Sequence, residues 1–131
     1  MELKTNSSKS MSILFVEDDE IILEIQSSML AMKFSDVMLY TAINGRQGLD
    51  LFKTHTPDIV ITDINMSEMC GVKMAENIRE LKPDTKIIAI SGKDSDEIRY
   101  AFDYVITKPV GLAQLFAAVE LCIGDLRQHM S

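Results

Sequence analysis

Three stretches of the chain are apolar without alternation: Ile13-Leu14-Phe15-Val16, Ile59-Val60-Ile61 and Ile87-Ile88-Ala89-Ile90. Short β-branched runs of this kind belong to strands covered by helices on both faces, so they predict three central, parallel strands. Weaker strands are predicted over residues 37–41 and 104–107. Between the strands the apolar period changes to that of a helix. Ile21, Ile22, Ile25, Met29 and Met32 form one stripe, which predicts a first helix with that face turned to the core. Leu49 and Phe52 mark a second helix, and Val72, Ala75 and Ile78 a third. The last is the clearest, with Leu112, Leu115, Phe116, Val119, Cys122, Ile123 and Leu126 at helical spacing. Turn signals fall between these segments, at Asn44-Gly45, Thr56-Pro57-Asp58 and Lys82-Pro83-Asp84. Strands and helices alternating through short loops imply right-handed crossovers and a doubly wound α/β sheet of five strands.

Composition narrows the picture. A chain of 131 residues with 47% hydrophobic residues is one domain with enough apolar material for a core. That domain is expected over 11–127, after a disordered tail at 1–10 and before a C-terminal tail or linker start at 128–131. The net charge of −7 argues against direct nucleic-acid binding and against an anionic membrane as partner. Cys70 and Cys122 lack disulfide or zinc-site spacing, which favours a reducing compartment. The polar N-terminus lacks the apolar stretch of a signal peptide and no later segment is long enough to span a bilayer, so a cytoplasmic location is expected.

The candidate chemistry sits where the strands end. Glu17-Asp18-Asp19 closes the first run, Thr62-Asp63 the second and Ser91-Gly92 the third, while Thr107-Lys108-Pro109 closes the last strand. In an open parallel sheet the ligand site lies beyond the carboxyl ends of the strands. One edge would therefore gather carboxylates, a hydroxyl and an ammonium group. Clustered carboxylates repel, and a hard cation such as Mg2+ with oxygen ligands resolves the repulsion while leaving positions for phosphate oxygens. An aspartate after a buried strand is by itself more often a cap or turn residue; Asp19 fits that description as a cap of the first helix. His55 and His129 match no ligand spacing.

Taken together, Val16-Glu17-Asp18-Asp19, Asp63-Ile64-Asn65-Met66 with Gly71 following, Ile88-Ala89-Ile90-Ser91-Gly92 and Thr107-Lys108-Pro109 make the chain resemble the receiver domain of bacterial two-component response regulators. The resemblance covers about residues 12–126. It implies the flavodoxin-like strand order 2-1-3-4-5. It also implies that Asp63 is the phosphoacceptor, that Asp18 and Asp63 bind Mg2+ directly with the backbone carbonyl of Asn65, and that Glu17 acts through a bound water. Ser91 and Lys108 would contact the phosphoryl oxygens, and the Lys108-Pro109 bond is expected to be cis. The implied donor is a histidine kinase or phosphotransfer protein, and the implied output is a partner or a further domain, with a homodimer as one option. Such a protein catalyses its own phosphorylation and dephosphorylation without a separate substrate.

Several positions depart from the family pattern. Ser67 and Cys70 replace the usual proline and acidic residue, which is expected to loosen the loop after Asp63. The stretch from Ser91 to Lys108 is several residues short, which predicts a fourth helix reduced to roughly residues 94–102. Val105 stands where the family has an aromatic, and Tyr104 one step earlier falls on the other strand face. Gly92 replaces an alanine and is expected to leave the pocket open. Signal output is expected through the loops after Asp63 and Ser91, near 92–99, rather than through a rotating ring. Two alternatives stay open: a non-switching pseudo-receiver acting as an interaction module, and a flavin-binding protein or acid phosphatase on a similar sheet. The flavin reading lacks a phosphate-cradling loop after the first strand, and the phosphatase reading needs an aspartate where Asn65 stands.

Overall fold

The computed structural model describes residues 11–92 and 96–130. Strands β1 (Ser12–Val16), β2 (Met38–Ala42), β3 (Ile59–Asp63), β4 (Lys86–Ser91) and β5 (Tyr104–Thr107) alternate with helices α1 (Glu20–Lys33), α2 (Gly45–His55), α3 (Gly71–Leu81), α4 (Asp96–Arg99) and α5 (Leu112–Met130). All strand pairs are parallel and their order is β2-β1-β3-β4-β5, the doubly wound flavodoxin-like arrangement. The unbroken apolar runs became the central strands: Ile13, Leu14, Phe15, Val16, Ile59, Val60, Ile61, Ile87 and Ile88 are wholly buried. Alternate side chains of each strand then feed two cores. On one face Ile13, Phe15, Ile61 and Ile88 pack with Leu23 and Leu30 of α1 and with Leu115, Val119 and Cys122 of α5. On the other, Leu14, Val16, Val60 and Ile87 pack with Leu49 and Phe52 of α2 and Met74, Ala75 and Ile78 of α3.

Local chemistry sets where the helices begin and end. Asp19 caps α1, its Oδ1 accepting from the backbone N–H groups of Ile21 and Ile22 at 3.0 and 3.1 Å. Asn44 does the same for α2 through the N–H of Gln47 at 2.8 Å. Thr56 ends α2 in the left-handed region with φ 42°, directly before Pro57.

The stripe read from α1 is turned the wrong way. Ile21, Ile22, Ile25, Met29 and Met32 are all exposed, while Leu23, Leu30 and Phe34 face the sheet. α1 is apolar on both sides, and spacing alone does not say which side meets the sheet. Among the described residues α4 runs Asp96–Arg99 and so ends before the expected 102; Ala101 and Phe102 only close turns on Ile98 and Arg99 at 3.1 Å. Residues 93–95 and the expected tail at 1–10 lie outside the described residues. α5 continues to Met130, so the boundary expected at 127 falls inside a helix.

Candidate functional site

Sheet register brings the strand ends together. Val16 lies beside Thr62, Asp63 beside Ile90, and Ser91 beside Thr107, so the next residues out meet at one edge. Asp63 is the last residue of β3 and is buried, as are Glu17 just past β1 and Ser91 at the end of β4. Asp18 is exposed at the rim. One carboxylate oxygen each from Glu17, Asp18 and Asp63 lie within 4.8 Å of one another. Lys108, just past β5, donates from Nζ to Asp63 Oδ2 at 2.9 Å. Its stem is half exposed, whereas the Asp63 side chain is only 5% exposed, so the ammonium reaches inward from the rim to a buried charge. The Lys108-Pro109 peptide is cis, as expected.

The electrostatics follow from this crowding. Burial pushes the Glu17 carboxyl above its ordinary value near 4.5 and the Asp63 charge adds to that, against the lowering effect of the Asp19 N–H, which donates to Glu17 Oε2 at 3.0 Å. The hydrogen bond to Asp63 holds the Lys108 ammonium above its usual range, with partial burial opposing. Three carboxylates therefore face one lysine, an excess of negative charge built from hard oxygen donors. That donor set suits a small divalent cation.

The loop after Asp63 is held at two glycines. Gly71 N–H donates to Ile64 O at 2.8 Å, and a Cβ at Gly71 would run into the backbone oxygen of Asp63. A Cβ at Gly45 would likewise strike the carbonyl of Met69. Between these contacts Glu68 and Met69 take φ values of 61° and 118°, the latter strained for a residue with a side chain. Asn65, Ser67 and Cys70 are exposed on this loop. The closeness of Gly71 to the site was legible only as part of a motif, and that of Gly45 carried no local signal.

At the other side of the site, Lys108 N–H donates to Ser91 O at 2.8 Å and ties the ends of β4 and β5. Gly92 is exposed, and a methyl added there would meet no atom of the described residues within 4 Å. Tyr104 and Val105 do face opposite sides: Tyr104 packs toward the α1 and α5 core and donates to Asp125 Oδ2 at 3.1 Å, while Val105 packs toward the other. A cavity of about 230 Å3 opens beside Lys108 and Glu17 and is lined also by Ile22, Gln26, Ile90, Pro109 and Val110. Sequence reasoning missed Gln26 and Val110 there, since neither belongs to a motif. His55 is exposed and stacks on Tyr40 with ring centroids 4.1 Å apart, away from any ligand cluster.

Comparison with known proteins agrees with this geometry. Residues 13–120 match the family model described as the response regulator receiver domain. The chain is 31% identical over 118 residues to a probable C4-dicarboxylate response regulator, DctR, of Bacillus subtilis, covering 86% of this chain and 52% of that protein. It is equally 31% identical over 124 residues to the cell cycle response regulator CtrA of Brucella ovis, covering 91% and 53%. The chain thus spans about half the length of these curated relatives. Among solved structures, the response regulator TrrA of Thermotoga maritima, in complex with Mg(2+)-BeF, superposes with a TM-score of 0.78 at 30% identity, over 86% of this chain and 98% of that one. A receiver domain from Methanospirillum hungatei shares the fold with a TM-score of 0.83 at 24% identity, over 92% and 99%. A five-stranded sheet in this order, four motifs at its carboxyl edge and a family match over most of the length lead to one conclusion: the chain belongs to the response regulator receiver family.

Proposed function

We propose that this domain is a phosphoacceptor switch: it takes a phosphoryl group from a phosphohistidine of a histidine kinase or phosphotransfer protein onto Asp63, in a Mg2+-dependent reaction, and relays the change to an output partner or domain. The observation that carries this reading is the 2.9 Å contact of Lys108 with a buried Asp63 inside a cluster of three carboxylates. An Asp63 oxygen attacks phosphorus, the P–N bond to the donor imidazole breaks, and its electron pair returns to the ring nitrogen. The transition state is loose, with charge on the equatorial oxygens, so the surrounding groups act by position and charge. Lys108 neutralises one of those oxygens and the Ser91 hydroxyl donates to another. Asp18, Asp63 and the Asn65 carbonyl would hold Mg2+, with Glu17 acting through a water; the bound ion supplies further neutralisation of the phosphoryl charge. Water later hydrolyses the acyl phosphate in the same site, so the protein turns over its own modification and no separate substrate.

The net charge of −7 supports protein partners over nucleic acid for this domain. Among the described residues no helix is long and apolar enough to cross a membrane, and both cysteines are free, which fits a cytoplasmic switch. A pseudo-receiver is the second reading, favoured by the early end of α4 at Arg99 and by Val105. Intact-mass analysis after incubation with acetyl phosphate separates the two. The switch gains one phosphoryl group only with Mg2+ present, and Asp63→Asn gains none; a parent chain that stays unlabelled with every donor leaves the pseudo-receiver.

A further inference from the structure

The amino edge of the sheet, opposite the phosphoacceptor site, encloses a cavity of about 410 Å3, within the range of about 300–1,000 Å3 typical of small-molecule sites. Segments distant in sequence meet around it: the start of β1, the entries to β3 and β5, α3, the turn from α3 into β4, and the end of α5. Two polar groups in its wall are incomplete. Thr85 is 1% exposed, and its hydroxyl has no hydrogen-bond partner among the described residues. Buried hydroxyls are seldom left so. Lys86 is largely buried, with its Nζ 3.8 Å from Asp103 Oδ1 and 3.8 Å from Asp125 Oδ2. Both distances attract by charge but exceed hydrogen-bond length. Among the described residues the ammonium therefore has counter-charges but no acceptor. Arg79, by contrast, is well supplied, donating to Asp103 Oδ2 at 2.7 Å and to Thr85 O at 3.0 Å.

We propose that this cavity binds a small neutral polyol, a monosaccharide or cyclitol, whose hydroxyls complete Thr85 and Lys86. Charge selects the class. Asp58, Asp84 and Asp103 line the cavity against Arg79 and Lys86, so carboxylates outnumber cations and an anionic ligand is repelled. A cationic ligand meets the guanidinium and the ammonium instead. A hydroxyl escapes both penalties, because it accepts from an ammonium and donates to a carboxylate at once. Seated beside Lys86 Nζ and Asp103 Oδ1, one hydroxyl turns a 3.8 Å charge contact into two hydrogen bonds. A second suits Asp58 Oδ1, which among the described residues has only Lys82 Nζ, at 3.6 Å. A third pairs with Thr85. Met11 and Leu126 add partly buried apolar surface for the C–H face of a ring. The volume is many times the share of one water, about 30 Å3, which leaves room for a ring bearing several hydroxyls.

Titration of the isotope-labelled whole chain with myo-inositol, D-glucose, D-ribose and glycerol in turn, followed by amide NMR shifts, tests this. At least one ring polyol should give saturable shifts at Thr85, Lys86, Ile87 and Asp103, with a Kd on the order of millimolar, as suits a ligand of about a dozen heavy atoms. Thr85→Val keeps the shape and removes the hydroxyl, and Lys86→Met keeps the stem and removes the charge. Each should weaken binding about fivefold or more, the worth of one hydrogen bond. Thr85→Val should unfold at the parent's temperature or above, because its hydroxyl has no partner to lose, so weaker binding by that variant cannot be misfolding. Shifts that rise linearly without saturating mark an adventitious additive only and overturn the proposal. So do silence toward all four polyols, binding indifferent to Thr85→Val, a marked loss of stability in that variant, or tighter binding of glycine, a zwitterion, at the same residues.

Discussion

Asp18 and Asp19 are neighbours in sequence with opposite duties, and the difference is measurable. Asp18 contributes an oxygen to the carboxylate cluster, whereas Asp19 spends its Oδ1 on two backbone N–H groups of α1. Asp18→Asn should therefore weaken Mg2+ binding strongly and leave the helix intact. Asp19→Ala should leave metal affinity within a few-fold and cost about 1 kcal/mol of stability, the usual loss on removing a cap. Mg2+ titration by calorimetry and urea unfolding of both variants read the two effects; a reversed pattern would mean that the acidic pair is misassigned. The cysteines give a second residue-scale test. Burial pushes the Cys122 thiol up to about 12, while Cys70 is exposed. In the folded protein at mildly alkaline pH one thiol should react with a thiol reagent at once and the second only on unfolding. Because the folded thiol holds its proton above the ordinary 9.0, its contribution to stability is complete below pH 9 and is lost as pH rises toward 12. Two equally fast thiols would contradict the burial. Two carboxylates of the cluster were legible in sequence because each closes an unbroken apolar run: Asp63 after Ile59-Val60-Ile61-Thr62 and Glu17 after Ile13-Leu14-Phe15-Val16. Gln26 was not legible, since its place beside Lys108 depends on how α1 lies across the sheet.

Elements show the same division. The central strands, buried on both faces, announced themselves by composition. β2, at the sheet edge and largely solvent-accessible, was displaced by one residue in the sequence reading, 37–41 against Met38–Ala42. α1 misled because both of its faces are apolar, and the choice between them is made by tertiary packing that period alone does not encode. α4, expected over roughly 94–102, ends at Arg99 among the described residues. The β3 to α3 connection supplies the test at this scale. Gly71→Ala places a methyl against the backbone oxygen of Asp63, where only backbone can give way, so the variant should lose about 1–3 kcal/mol and phosphorylate more slowly. Gly92→Ala, whose added methyl meets no atom of the described residues within 4 Å, should change stability by less than about 0.5 kcal/mol. Denaturant midpoints of the two variants check the contrast, and equal midpoints would show that the loop after Asp63 moves aside freely.

At the scale of the whole molecule, the two ends of the sheet have opposite logic. The carboxyl edge concentrates like charge around one lysine, while the amino edge is a closed network. Arg79 of α3 donates to Asp103 Oδ2 at 2.7 Å and to Thr85 O at 3.0 Å, and the same Asp103 oxygen accepts from the Ile87 N–H at 2.7 Å. These partners are separated by up to 24 residues, so no local pattern announces them. They tie α3 to the start of β4 and the entry to β5, opposite the site. Asp103→Ala should orphan the Ile87 N–H and leave Arg79 with only carbonyl partners such as Thr85 O, and cost about 2–3 kcal/mol by urea unfolding, well beyond the effect of a surface ion pair. A loss below about 0.5 kcal/mol would show the network to be ornamental. The proposed acceptor chemistry would thus rest on a frame pinned from the far edge, and the cluster itself carries the unbalanced charge.

Asp63, and no other carboxylate of the cluster, is proposed to receive the phosphoryl group. The most direct measurement is to phosphorylate the chain with acetyl phosphate and Mg2+, reduce the acyl phosphate with borohydride, and locate the modified residue by peptide mass spectrometry. The reduced side chain should appear at position 63 alone, with the signal lost when Mg2+ is chelated or when Lys108 is replaced by Ala. Modification at Asp18 or Glu17, or labelling that persists unchanged without the metal, would contradict it.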